Sequence, residues 1–298
     1  MVKQLFRNSA GVVSLAMIIP LSGAAESAFE GSYETGFEAE RRKCTTCEPT
    51  EYENEIEATI LDLVLKPKAH EDLSFGIQLE LDTKSDGAIL GSGRLDAVNN
   101  NGVGVWFRKK FDNGIWARIQ GAAESDERLF DLGGRIGYKT RLTDHLEFSG
   151  YVNLDRRFRL GSGSDADQGT YLEVNTELEW DDDDYGAWIE FEASKWFFDS
   201  ASAPDKLEWM VQPGIWFDLG DTDHRGLFWV EAEGASKNSP GPKKEYKIEL
   251  GVGVEFELPK RSEILVAVTF GKEREERPGR PQEQADVYGL EVSFQRQF

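Results

Sequence analysis

Beyond its first twenty-five residues the 298-residue chain has no apolar run long enough to cross a bilayer as a helix. If it spans a membrane, it does so as a closed barrel of strands, because only a closed sheet leaves no backbone group unpaired in lipid. Hydrophobic residues are also scarce, at 39%. That is little for the core of an ordinary enzyme of this length, but enough for a barrel whose strands face lipid on one side and water on the other. Basic residues are outnumbered, 34 against 55 acidic ones, for a formal charge of −21. Nucleic acid, which needs a basic face, is therefore excluded as a partner. There are three histidines, His70, His145 and His224, all expected in short turns. With no histidine expected on a strand and no Ser/His/acid grouping on one face, no catalytic site is expected. No cofactor or metal is expected either.

The only two cysteines form Cys44-Thr-Thr-Cys47. A redox motif of that spacing needs a helix N-terminus to depress the thiol pKa, and a metal site needs further Cys or His ligands nearby. Neither is in evidence, so a local disulfide in an oxidising compartment is the expectation.

What is present begins with Lys3 and Arg7, an apolar run from Ala10 to Leu21, and the small residues Gly23, Ala24 and Ala25. That layout predicts a cleaved signal peptide over residues 1–25 and a mature barrel over 26–298 with formal charge −23, once Lys3 and Arg7 are gone. Period-two alternation then recurs down the chain, because successive side chains of a strand point to opposite faces. Fourteen such segments are expected. Leu73, Phe75, Ile77, Leu79 and Leu81 make one of the clearest; Tyr246 to Leu258 make another. The second segment, 52–65, blurs at Leu61 to Leu65 in the manner of a bulge. Asn113-Gly114 marks a tight hairpin. Short connections (66–71, 112–113, 143–145, 181–184, 220–226, 259–263) alternate with mostly longer ones (42–51, 83–101, 159–169, 197–205, 235–244, 273–286). The predicted fold is all-β: a transmembrane, antiparallel, up-and-down β-barrel with periplasmic turns and extracellular loops. Loops 83–101 and 273–286 are left open as possible constrictions.

The last segment, Tyr288 to Phe298, carries Tyr288, Leu290, Val292, Phe294 and Phe298 on one face and ends on an aromatic residue. It resembles the closing strand of bacterial outer-membrane barrels, in which Phe298 would be the signal read by the barrel assembly machinery. Fourteen strands in a chain of this length, with the stretch Arg141-Leu-Thr-Asp-His-Leu-Glu-Phe-Ser-Gly150, resemble the OmpG-like monomeric porins. The oligogalacturonate-type porins are similar in style. The resemblance implies a passive, rather unselective channel for ions, sugars and short oligosaccharides, working as a single barrel in the outer membrane against lipid and lipopolysaccharide. It does not carry over a histidine-pair gate, since the histidines are not expected in the lumen.

Residues alternating with the apolar set give the expected pore lining, and their charges segregate. A basic arc holds Arg108, Lys110, Arg118, Arg135, Lys139, Arg157 and Arg159. A larger acidic arc includes Glu34, Glu38, Glu80, Glu177, Glu190, Glu192, Glu231 and Glu255. Opposed arcs impose a transverse field, and the acidic excess predicts weak cation preference. Trp106, Trp116, Trp188, Trp216 and Trp229 fall on the inward phase; a one-residue slip would move them to the lipid-side girdle. Trp180 and Trp209 are expected outward. The alternatives from other classes are a barrel plugged by its own side chains, with a structural or adhesive role, and an outer-membrane enzyme.

Overall fold

The computed structural model describes residues 28–47, 52–86, 100–124, 129–159, 168–182, 184–199, 205–220, 224–237, 243–259 and 261–298. They form fourteen antiparallel strands: β1 (Phe29–Cys44), β2 (Tyr52–Pro67), β3 (Leu73–Asp86), β4 (Asn100–Lys110), β5 (Ile115–Glu124), β6 (Leu129–Arg141), β7 (Leu146–Arg159), β8 (Gly169–Asp181), β9 (Tyr185–Phe198), β10 (Lys206–Asp218), β11 (His224–Lys237), β12 (Lys243–Leu258), β13 (Ser262–Glu276) and β14 (Glu283–Gln297). Each strand pairs with the next, and β14 pairs with β1, so the sheet has no free edge. The signal-peptide reading of residues 1–25 lies outside the described residues.

Burial is inverted relative to a soluble protein. Large apolar residues stand exposed, with Ile136 at 67%, Ile119 at 66% and Ile248 at 60%, whereas Asn153 and Glu173 are buried at 1% and 5%. The core is the polar inner wall, and the apolar set is the lipid-facing one. Outward aromatics pair near both rims: Phe29 with Phe75 and Trp180 with Tyr185 at the turn end, Phe130 with Phe158 and Phe270 with Tyr288 at the loop end.

The blurred second segment is a register shift. Thr59 faces Glu80 and Leu61 faces Leu79, leaving Ile60 as the extra residue of a bulge. Before it Ala58 is outward; after it Leu61, Leu63 and Leu65 are. At the hairpin after β4, Gly114 sits at φ 82°, which any other residue would adopt only with strain.

Strands run further into the loops than alternation predicts. β13 continues to Glu276 and β14 begins at Glu283, so most of the expected loop 273–286 is strand and only 277–282 connects. The physical reason is that Glu273 and Glu275 point inward while Arg274 and Glu276 point outward: both faces are charged, so the apolar signal vanishes while the ladder continues. Likewise β1 runs to Cys44, and β3 and β4 reach Asp86 and Asn100; the rest of loop 83–101 lies outside the described residues. His224 is the first residue of β11, paired with Phe256, rather than part of the turn before it.

The last strand closes the barrel. Ser32 to Cys44 pair with Gln297 back to Ala285, and the Phe298 and Gly31 amides donate to each other's carbonyl oxygens at 2.9 and 3.0 Å.

Candidate functional site: the lumen wall

Register places Arg108, Arg118 and Arg135 directly beside one another on β4, β5 and β6. Three guanidiniums in one row would repel, so the wall screens them with aromatic faces. Arg118 lies 4.7 Å above the Trp106 ring and Arg135 4.7 Å above Tyr151; Arg108 stands between Trp106 and Trp116 at 5.8 and 5.7 Å. Arg108 also donates to Ser74 Oγ at 3.3 Å. Arg135 has Glu173 at 3.7 Å. Among the described residues Arg118 has no hydrogen-bond partner, and its buried Nε is unsatisfied. It borders a small cavity of about 170 Å³ with Trp106, Gln120, Arg135 and Asp155.

The remaining expected cations are more fully engaged or less defined. Arg157 grips Asp131 through two nitrogens, at 2.9 and 2.8 Å, and lies over Trp196 at 4.6 Å. Lys139 pairs with Glu147. Lys110 is the last residue of β4, opposite Trp116. Arg159 is placed by its backbone opposite Leu129. The structure therefore sets three adjoining arginines in a single row on β4 to β6.

A polar network joins that row to the acidic wall. Tyr151 Oη donates to Glu173 Oε1 at 2.5 Å; Asn153 Nδ2 donates to Glu173 at 3.2 Å and to Asp155 at 2.6 Å; Gln120 Nε2 donates to both Asp155 oxygens at 3.0 Å. Further round, Asn175 donates to Glu190 at 2.6 Å, Ser149 to Glu177 at 3.3 Å and Gln212 to Glu231 at 2.7 Å. Glu192 stands opposite Asn175 and Met210, and Glu255 has Arg225 at 3.9 Å. Glu34 faces Asp62 and Gln295, and Glu38 faces Glu57 and Glu291. Glu80 is placed by its backbone between Thr59 and Gly102.

The acidic wall contains cations that alternation alone did not single out. Lys247 Nζ bonds Glu249 on its own strand and Glu40 on β1, both at 2.7 Å, reaching across two intervening strands. The span is possible because Gly271, Gly289 and the buried Ala267 and Val287 make a low floor there. Arg42 bonds Glu273 at 2.5 Å. Lys243 bonds Glu275 at 2.9 Å, with Glu245 and Arg277 alongside. Glu245, Glu273 and Glu275 bring their oxygens within 4.8 Å of one another, and these cations meet their charge. The signal was in the sequence: Lys243 and Lys247 share the odd phase of Glu249 and Glu255.

All five inward tryptophans stay on the lumen side, and each lies against a glycine of the next strand: Trp106 on Gly76, Trp116 on Gly137, Trp188 on Gly214, Trp216 on Gly186, Trp229 on Gly251. A second face is covered for three of them, by Arg118 over Trp106, Arg108 by Trp116 and Arg225 over Trp216 at 4.5 Å. Trp188 and Trp229 flank Gly214 on either side and, among the described residues, carry no cation. Cys44 and Cys47 are bonded to each other at the loop end of β1, their Cα atoms 5.6 Å apart.

A closed fourteen-strand barrel with an apolar exterior and a charged wall is what a porin requires. The family model of the OMPG-porin 1 family matches residues 16–288. The chain belongs to that family. It is an outer-membrane porin, and its place is the bacterial outer membrane. No curated protein matches the sequence. Among solved structures it is similar to OccK5 (OpdH) of Pseudomonas aeruginosa (10% identity, 91% of this chain and 99% of that one, TM-score 0.48). It is also similar to a loop-deletion mutant of OmpT, an outer membrane protein of Vibrio cholerae (9%, 90% and 99%, TM-score 0.48). A third is OccK2 (OpdF) of Pseudomonas aeruginosa, in complex with glucuronate (9%, 91% and 98%, TM-score 0.46).

Proposed function

We propose that this OMPG-porin is a passive, non-enzymatic, weakly cation-selective channel for ions, sugars and short oligosaccharides, working as a single barrel. The observation that carries the reading is the unequal balance of the wall. Carboxylates occupy inward positions on β1, β2 and on β7 to β14, while Arg108, Arg118 and Arg135 set three adjacent cations in one row on β4 to β6. A low-dielectric wall focuses such charge into the water column and sets which ions dwell there. Fourteen strands support a water-filled interior, whereas about eight are nearly filled by their own side chains. Trp188 and Trp229, with Glu190, Gln212 and Glu231 beside them, offer apolar ring faces and hydrogen-bonding groups suited to sugars. Outside, the barrel sits among lipid and lipopolysaccharide, and Phe298 serves the barrel assembly machinery as its C-terminal signal.

Reversal potentials in a salt gradient across a planar bilayer test the selectivity. Cation preference is expected; a clear anion preference would mean that the arginine row, and not the acidic wall, governs the narrowest point.

One observation favours a second reading. The ion pairs of Lys247, Arg42 and Lys243 tie side chains across β12, β13, β14 and β1, as a plugged structural barrel would. Single-channel recording separates the two: ohmic steps of about a nanosiemens mark an open porin, and silence from folded protein marks the plug.

A further inference from the structure

The pore accounts for the charges that face inward; it does not account for a group that faces out. Lys244 on β12, Lys272 and Arg274 on β13, and Arg41 and Lys43 on β1 all share the outward phase of their strands. In the ladder Lys43 stands opposite Asp286, which stands opposite Lys272. Arg41 stands opposite Tyr288, which stands opposite Phe270. Arg274 neighbours Tyr246, and Lys244 neighbours Glu276. Lys244, Lys272 and Arg274 are exposed.

Across these four adjacent strands the outward loop-end charges are five cations against two carboxylates, Asp286 and Glu276, in a chain of net charge −21. Among the described residues Lys43, Lys244 and Lys272 have no carboxylate within ion-pair distance, and Arg274 is paired with Glu276. Among the described residues, two further outward cations near this rim are matched locally. Arg156 bonds Asp199, whose carboxyl its hydrogen bonds hold below the ordinary range, and Lys195 has Asp205 at 3.7 Å.

Height above the membrane decides what the cluster meets. Phe270 and Tyr288, 51% and 45% exposed and in edge contact at 6.2 Å, belong to the aromatic belt that marks the edge of the hydrocarbon. Lys272 and Lys43 stand two residues beyond that row, about 7 Å further out at the rise of a strand. This is the level of lipid headgroups on the extracellular side. Lysine and arginine there are placed to meet phosphate, arginine in a two-pronged fashion and lysine as a point charge.

We propose that the outer face of β12, β13, β14 and β1 is a binding site for the phosphorylated headgroup of the outer-leaflet glycolipid, lipopolysaccharide, with Lys43, Lys244, Lys272 and Arg274 as its phosphate contacts and Tyr246, Phe270 and Tyr288 against its sugar and first acyl carbons. The proposal rests on the outer-membrane orientation of the barrel and not on what the pore conducts.

The test is native mass spectrometry of the full-length protein in detergent, titrated with bisphosphorylated lipid A and with its dephosphorylated form. The wild type should retain the phosphorylated lipid and bind the dephosphorylated one at least tenfold more weakly. Each basic side chain near such a surface is worth about 1 kcal/mol, so K272Q should weaken binding roughly fivefold and K244Q/K272Q/R274Q on the order of a hundredfold. R156Q/K195Q, on the far side of the barrel, should leave it within twofold. Equal binding of the two lipids, or an unchanged affinity in the triple variant, would overturn the site. Should the triple variant fail to fold, the wild-type comparison and K272Q decide the matter alone. Channel steps in a zwitterionic bilayer are read in parallel: a silent pore with intact lipid discrimination would count against the channel and leave the lipid site standing.

Discussion

Trp229 lies flat on Gly251 because a Cβ at that glycine would overlap its ring. The glycine therefore serves as the seat of the indole, and the indole in turn covers backbone that would otherwise face the lumen bare. G251A should push the ring off the wall, destabilise the barrel by about 1–3 kcal/mol as overpacking does, and narrow the channel. The urea midpoint of the refolded protein and its single-channel conductance would register both effects; unchanged values would mean the ring has room to tilt. Arg118 is the complementary case. With Arg108 and Arg135 as strand neighbours and Trp106 beneath it, it has no hydrogen-bond partner among the described residues. R118E should move the reversal potential toward cations, while R157Q, which removes a side chain already held by Asp131, should shift it much less. Equal shifts would place the constriction elsewhere than at the arginine row.

Among the elements, β1 and β14 form the one seam between strands distant in sequence. Its turn end is fastened by the reciprocal bonds of Gly31 and Phe298. Its loop end is fastened where the Thr45 amide donates to the Gln284 carbonyl at 2.8 Å and the Gln284 amide donates to Thr46 Oγ1 at 2.9 Å, in the small ring closed by Cys44 and Cys47. Those backbone bonds survive F298A, whose ring packs near Gly31. The variant should accordingly refold in vitro with wild-type conductance yet reach the outer membrane several-fold less well. Heat-modifiable protein in membrane fractions gives the measurement; wild-type levels would remove Phe298 from the assembly step.

For the molecule as a whole, selectivity that arises from opposed charged walls must fade with salt. The Debye length falls from about 10 Å at 0.1 M to about 3 Å at 1 M, so carboxylates lining a wide lumen lose hold of ions along its axis. The cation preference expected of the acidic wall should accordingly shrink toward neutral between those concentrations in reversal-potential measurements. A preference that persists at 1 M would instead place a few carboxylates in direct contact with the permeating ion at a narrow point.

Alternation between lipid and water determined the number of strands, their direction, the bulge near Ile60 and the inward phase of the tryptophans, because a strand has only two faces and the bilayer makes them unlike. The same rule assigned the lumen charges by sign and by strand. It failed where both faces are charged, as from Glu273 to Glu276, since no apolar rhythm is left to mark a ladder that nevertheless continues. Which charges are spent and which remain was decided by tertiary structure alone. Lys247 meets Glu40 from 207 positions away, over a floor of small residues, and Arg118 is left beside two other arginines. Pairing of that kind depends on the stagger between strands and the height of the side chains between them. One-dimensional order carries neither quantity.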